Sequence, residues 1–234
     1  MNRFVKNMNS INSDTAVNLN KLNLSFDGQP VLKDLSLSVR HGEKVALTGP
    51  SGSGKSTVLR CILGLVMPDS GTITILGEPL THHNIWQKRR HIAYVAQEPD
   101  LGTGSVKEVI ETPFTFRANA DLRDNLARLP AIMERFNLPQ PLLAKQITRL
   151  SGGEKQRIAL VIAILLDRPI VLLDEASSAL DTKNKQAVAD YFRQADSTTV
   201  LSVAHDAEWL GFATRVVDMK EIQKTGGKLG EPDY

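Results

Sequence analysis

The chain has 234 residues, 41% hydrophobic and 23% charged, with a formal net charge of +2. That is enough to bury a full core, and it gives no strong electrostatic pull toward nucleic acid or an anionic membrane. Cys61 is the only cysteine, which excludes an intrachain disulfide, and the longest apolar run, Ile158 to Leu166, falls far short of the ~20 residues a membrane helix needs. Asn and Ser interrupt the N-terminal apolar residues, so no secretory signal is read there and a cytoplasmic protein is expected.

Residues 1–17, rich in Asn, read as a flexible tail ahead of a folded unit over 18–222, with a second tail over 223–234. Leu22, Leu24 and Phe26 alternate with polar neighbours, as do Leu35, Leu37 and Val39, and Asp27-Gly28-Gln29-Pro30 supplies the turn between two strands. Lys44–Thr48 reads as a buried strand, and Ser56–Leu63 as a helix. Between them lies Gly49-Pro50-Ser51-Gly52-Ser53-Gly54-Lys55-Ser56-Thr57, a Gly, four variable residues and then Gly-Lys-Ser. Glycines let backbone N–H groups approach phosphate oxygens, Lys55 adds a point charge for the β- and γ-phosphates, and the Ser56 hydroxyl suits Mg²⁺. The following helix aims its partly positive end at the same place. The loop predicts a nucleoside triphosphate.

Thr72–Leu76 is a further strand. His82-His83 and Lys88-Arg89-Arg90-His91 are read as a solvated face rather than as metal or nucleic-acid sites. Ile92–Ala96 is a strand that carries Gln97 to its C-terminal end, the edge where ligands sit in open α/β sheets. From Glu98 strand signals vanish and prolines separate short helical stretches, which predicts a helical insertion over about 98–165. Strand and helix then alternate to the end, as expected of a mostly parallel sheet covered by helices.

Two further stretches carry chemistry. Ile170–Leu173 is an apolar strand ending in Asp174-Glu175, which places Asp174 to hold Mg²⁺ through water and Glu175 to orient or deprotonate an attacking water. Ser151 with Glu154 makes a capping box before a long apolar helix, yet capping leaves Gly152 and Gly153 unexplained. Bare of side chains, that helix end can approach an anion. One chain with two phosphate-grasping helix ends is resolved most simply by a dimer in which each end closes on the other copy's nucleotide.

Over roughly Leu19–Met219 the chain resembles the ATP-binding subunits of bacterial ABC transporters. Gly49–Ser56 matches the Walker A loop, Ile170–Glu175 Walker B, Leu150–Glu154 the signature (where Gln is usual in place of Glu154), Gln97 the Q-loop, Ser178–Asp181 the D-loop and His205 the switch histidine. Ala176 stands where Pro is usual. The resemblance implies an α/β P-loop NTPase core with an N-terminal antiparallel β-subdomain and an inserted α-helical subdomain. It further implies ATP and Mg²⁺ as cofactors. Phe26 would stack on adenine, a plain core Phe being the alternative, Gln97 would contact Mg²⁺, His205 would contact the γ-phosphate beside Glu175, and Asp181 would reach across a homodimer. An integral membrane permease would be the transport partner, with the protein peripheral on the inner face of the membrane and Pro113–Phe116 a candidate docking patch. Glu134–Pro139 and the short C-terminal end are similar to subunits for iron or metal export, while importers and lipoprotein-release systems share every motif. A soluble ABC ATPase of repair or translation is the alternative. A GTPase is excluded, since Asn184-Lys185-Gln186-Ala187 lacks the Asp of a guanine-reading motif.

Overall fold

Two sheets of different character organise the chain, in a computed structural model that describes residues 14–225. In the first sheet β1 (Thr15–Phe26) and β2 (Gln29–Arg40) form a hairpin, and β4 (Ser70–Ile75) and β5 (Glu78–Pro79) extend it in the order β2-β1-β4-β5, every pair antiparallel. The hairpin closes with Phe26 opposite Gln29 and with Asp27 and Gly28 at φ 48° and 74°. Two positive φ values are what a tight two-residue turn needs to match strand twist, and Asp-Gly supplies them at low cost. β1 begins three residues inside the expected N-terminal tail. Thr15 pairs with Arg40, Val17 pairs with both Val39 and Ile75, and Ala16 and Val17 are fully buried. Residues 1–13 of that tail lie outside the described residues.

The second sheet is parallel throughout, in the order β6-β7-β8-β3-β9, built from β3 (Lys44–Thr48), β6 (Ile92–Val95), β7 (Ile170–Asp174), β8 (Thr199–Val203) and β9 (Arg215–Asp218). β3, β7 and β8 read as near-continuous aliphatic runs because both faces of the sheet are covered. Alternate residues point into different interiors. Ile170 and Leu172 belong to a core shared with the antiparallel sheet and α1 (Lys55–Ile62), whereas Val171 and Leu173 belong to a core filled by the helices.

Between β6 and β7 the chain is helical, as its prolines and lost strand signals predict. It contains α3 (Val106–Thr115), a 3₁₀ stretch (Arg117–Arg128), α4 (Leu129–Arg135) and α5 (Gly152–Leu165). The expected docking patch is divided: Phe114 is buried in this layer, while Phe116 is exposed. The Lys88–His91 cluster is only in part the expected solvated face: Arg90 and His91 are exposed, whereas Lys88 is buried and Arg89 half-buried. It closes α2 (Ile85–Arg89), where buried Lys88 pairs with Glu78 at 2.5 Å and Arg89 donates to the carbonyls of Leu63 and Gly64. α6 (Thr182–Gln194) and α7 (Ala207–Leu210) follow β7 and β8. α8 (Met219–Thr225) carries helix into the expected C-terminal tail, and Gln223 donates to the carbonyls of Val31 and Ser53. Residues 226–234 of that tail are outside the described residues. Among the described residues no helix is long and apolar enough to cross a membrane.

Candidate active site

The site is assembled at the C-terminal ends of the parallel strands. β3 runs into Gly49–Gly54, and α1 leaves with Gly54 at its N-cap and no side chain capping that end. Gly54 sits at φ 95°, and a Cβ there would lie 2.9 Å from Leu32 Cδ2 and 3.2 Å from the Val31 carbonyl oxygen of β2. Backbone conformation and close packing both demand glycine at this point. Lys55 is buried and its Nζ donates to the carbonyls of Gly49 and Pro50, at 2.9 Å each, so the ammonium is held over the loop. Ser53 Oγ is buried without a hydrogen-bond partner. An uncapped helix end, an ammonium on the loop and an orphaned buried hydroxyl fit a phosphate group, whose oxygens accept from all three.

Ser56, on the first turn of α1, donates its hydroxyl to Asp174 Oδ1 at 2.7 Å, joining the phosphate loop to the end of β7. Asp174 is buried, and its second oxygen accepts from the Tyr94 hydroxyl at 3.2 Å. Burial first, then the charge of Asp174, pushes the Tyr94 phenol up to about 12, so it remains a donor across the physiological range. Sequence reasoning missed Tyr94. The available signal was a hydroxyl-tipped ring in an apolar strand that pairs, Tyr94 to Leu172, beside a strand ending in a carboxylate. Ser56 and Asp174 are a fitting pair of oxygen donors for a hard cation such as Mg²⁺.

Glu175 follows Asp174 at φ 47°, a left-handed conformation costing a non-glycine residue of order 1 kcal/mol or more, and its N–H donates to Val203 O at the end of β8. His205 leaves the same strand, and its Nε2 stands 3.5 Å from Glu175 Oε1, with both side chains reaching solvent. They line a cavity of about 260 Å³ together with Ser177, Lys185 and Asp206. Asp206 accepts from Ser177 Oγ at 2.8 Å and pairs with Lys185 at 3.0 Å. Burial works to raise the Asp206 carboxyl, but the hydrogen bonds from Lys185 and Ser177 and the Lys185 charge outweigh it and hold it low. Lys185 and Asp206 are further polar groups at the site that sequence reasoning did not single out.

Gln97 is exposed, and among the described residues no hydrogen bond links it to Ser56 or Asp174. It lies instead in a cleft of about 540 Å³ with Gly152, Lys155, Ser178 and Ala179, next to the Ala96 carbonyl that accepts from Gln156 Nε2 of α5 at 3.2 Å. Phe26 is 47% exposed at the hairpin tip, which rules out a core role. Pro50, Ser51, Gly52 and Thr57 complete the phosphate loop without a side-chain hydrogen bond of their own among the described residues. Asp181 caps α6 by accepting from the Asn184 N–H at 2.8 Å.

The signature turn is a separate centre. Ser151 caps α5 in a full capping box with Glu154, whose carboxyl the Ser151 N–H chiefly holds below its usual value. Gly153 has a reason within the chain: a Cβ there would lie 2.7 Å from the Ala179 carbonyl oxygen. Gly152 does not, since its Cβ would meet only Ala179 Cβ, at 3.9 Å. No hydrogen bond among the described residues joins Ser151–Gly153 to the phosphate loop.

The ABC transporter family matches residues 32–178, well over half of the chain. This chain belongs to that family. Family membership brings ATP as the bound nucleotide and ATPase chemistry. The chain is 35% identical over 217 residues to the energy-coupling factor transporter ATP-binding protein EcfA1 of Enterococcus faecalis, spanning 89% of this chain and 77% of the relative. It is 36% identical over 212 residues to the probable iron export ATP-binding protein FetA of Escherichia coli, spanning 87% and 89%. Its fold is similar to a dimeric post-hydrolysis structure of the ATP-binding cassette MJ0796 bound to ADP and Pi, with a TM-score of 0.73, 28% identity, and 86% and 93% of the two chains covered.

Proposed function

We propose that this protein is the ATP-hydrolysing subunit of an iron- or metal-ion exporter, driving a separate membrane permease from the inner face of the membrane as an ATP-sandwich homodimer. The observation that carries the hydrolytic reading is the convergence of Lys55, Ser56, Asp174 and Glu175, with the direct 2.7 Å link between Ser56 and Asp174. In this reading the loop N–H groups and Lys55 bind the β- and γ-phosphates, and Phe26 stacks on adenine. Ser56 and Asp174, with Gln97 once its loop closes, would hold Mg²⁺, which supplies charge neutralisation at the phosphates. Glu175 orients the attacking water and accepts its proton as the water oxygen bonds to the γ-phosphorus and the bond to ADP breaks. His205 donates to the γ-phosphate and steadies Glu175. Ser151–Gly153 and Asp181 of a second copy complete each site, in keeping with the absence, among the described residues, of a hydrogen bond between signature and phosphate loop inside one chain.

Glu175→Gln keeps the shape of the side chain and removes its basicity. It should cut phosphate release by about 10²–10⁴-fold while leaving affinity for a fluorescent ATP analogue intact. Near-normal turnover by that variant refutes the general-base role.

The substrate reading rests on the relative named for iron export, which is matched over 89% of its own length. A relative named for an energy-coupling factor transporter is matched nearly as well. Deleting the coding sequence and following efflux of radioactive iron from loaded cells separates the two. Unchanged iron efflux with impaired uptake of another solute favours an importer.

A further inference from the structure

Three segments distant in sequence meet at one buried side chain. Asn184 of α6 is only 8% exposed. Its N–H donates to Asp181 Oδ1 at 2.8 Å and its Nδ2 donates to Asp181 Oδ2 at 3.0 Å, so both carboxylate oxygens are tied down. Its Oδ1 accepts from Asn137 Nδ2 at 3.1 Å and from Arg157 Nη1 at 3.3 Å. Asn137, at φ 53°, lies two residues beyond the end of α4 (Leu129–Arg135) in the helical layer. Arg157 Nη1 also donates to the carbonyls of Phe136 and Asn137, at 2.9 and 3.0 Å, and its Nε donates to the carbonyl of Gly153 at 3.2 Å. Gly153 in turn packs against the Ala179 carbonyl.

We infer that Asn184 is a positioning residue for the active site of a second copy. It fastens the Asp181 turn, the signature helix end and the α4 loop together, so that they meet the partner's nucleotide as one body. This rests on the shared-site reading above. A buried asparagine is a costly way to pack a helix, because any polar group left unsatisfied there loses its hydration without return, but a fully satisfied polar network specifies a single arrangement. Among the described residues, none of these hydrogen bonds of Asn184 reaches Lys55, Ser56, Asp174 or Glu175 of its own chain. Two of the three elements that it joins, the Asp181 turn and the signature helix end, are the ones assigned to the partner's site. Its loss should therefore damage the neighbouring site and spare its own.

A mixed dimer reads this directly. One copy carries Glu175→Gln, which disables its own site and keeps its signature. The other carries Gly152→Asp, which sets a carboxylate against phosphate at the signature and keeps its Glu175. Each is inactive alone, and only one site of the mixed pair can turn over. Asn184→Ala in the Glu175→Gln copy should lower turnover roughly tenfold, while the same change in the Gly152→Asp copy should alter it by less than about twofold. Affinity of either copy for a fluorescent ATP analogue should be unchanged. The cap survives the substitution because the residue 184 N–H still donates to Asp181. Equal effects in both copies, or none in either, overturn the proposal. If Asn184→Ala fails to fold, Asn137→Gly keeps the left-handed backbone and removes one donor. It should give the same asymmetry at smaller size, and symmetry there overturns the proposal equally. A mixed pair that stays inactive without any change at Asn184, while unaltered protein hydrolyses ATP, brings down the shared-site reading and this proposal with it.

Discussion

Alanine in place of Gly153 and of Gly152 separates two reasons for glycine in one helix turn. At Gly153 the new methyl would lie 2.7 Å from a backbone oxygen, that of Ala179, which no side-chain rotation can move. Ordinary contact begins near 3.4 Å, so α5 or the Ala179 turn must shift by about 0.7 Å. Overpacking of this kind costs roughly 1–3 kcal/mol, and the better helix propensity of alanine returns up to about 1 kcal/mol. Gly153→Ala should therefore be destabilised by ~1–2 kcal/mol, a fall in melting temperature of roughly 2–8 °C for a chain of this size. At Gly152 the methyl meets only Ala179 Cβ at 3.9 Å, so Gly152→Ala should be neutral or stabilised by up to ~1 kcal/mol. Thermal and urea melts of the two variants side by side test this without any ligand. Equal stability of the pair, or a more stable Gly153→Ala, refutes the packing argument.

Lys55→Ala should weaken ATP binding roughly 10- to 100-fold by calorimetry, since a charged donor contributes about 1.5–3 kcal/mol, and unchanged affinity would show that its ammonium does not reach phosphate. Tyr94→Phe removes one long hydrogen bond to Asp174, worth about 0.5–1.5 kcal/mol. It should raise the Mg²⁺ concentration that half-saturates nucleotide binding by ~2- to 10-fold, and an identical Mg²⁺ titration refutes a positioning role for the phenol. Glu154 is held below the ordinary carboxyl value of 4.5, so its contribution to stability is present above that pH and is lost as pH falls through the lower folded value. Glu154→Gln cannot titrate and should flatten the acid limb of stability in denaturant melts; an unchanged limb assigns it to other carboxyls.

The local part of the site was legible because its chemistry is contiguous. Gly49–Thr57 and Ile170–Glu175 each carry strand, turn and functional group within a few residues, and both lie where their spacing implies. The parallel sheet and the helical layer were legible for the same reason, through runs and breaks in hydrophobic pattern. What could not be read depends on residues far apart in sequence. Nothing near Gly153 announces that Ala179 presses on it, and Gln223 resembles a tail residue until its amide is found on the Ser53 carbonyl. Thr15–Val17 looked like tail because the partner strands that bury them lie some twenty and sixty residues downstream. Lys88 looked solvated because its partner, Glu78, sits on a two-residue strand that no periodicity reveals.

The parallel sheet is a party wall between two rooms. Neighbouring residues of β7, Leu172 and Leu173, face opposite interiors, one furnished by the antiparallel sheet and the other by the helices. Among the described residues the two cores meet across that wall, and its strand β7 ends at Asp174, with Glu175 next in the chain. Any force on the tip of β7 is therefore felt in both interiors, since alternate residues of that strand are packed into each.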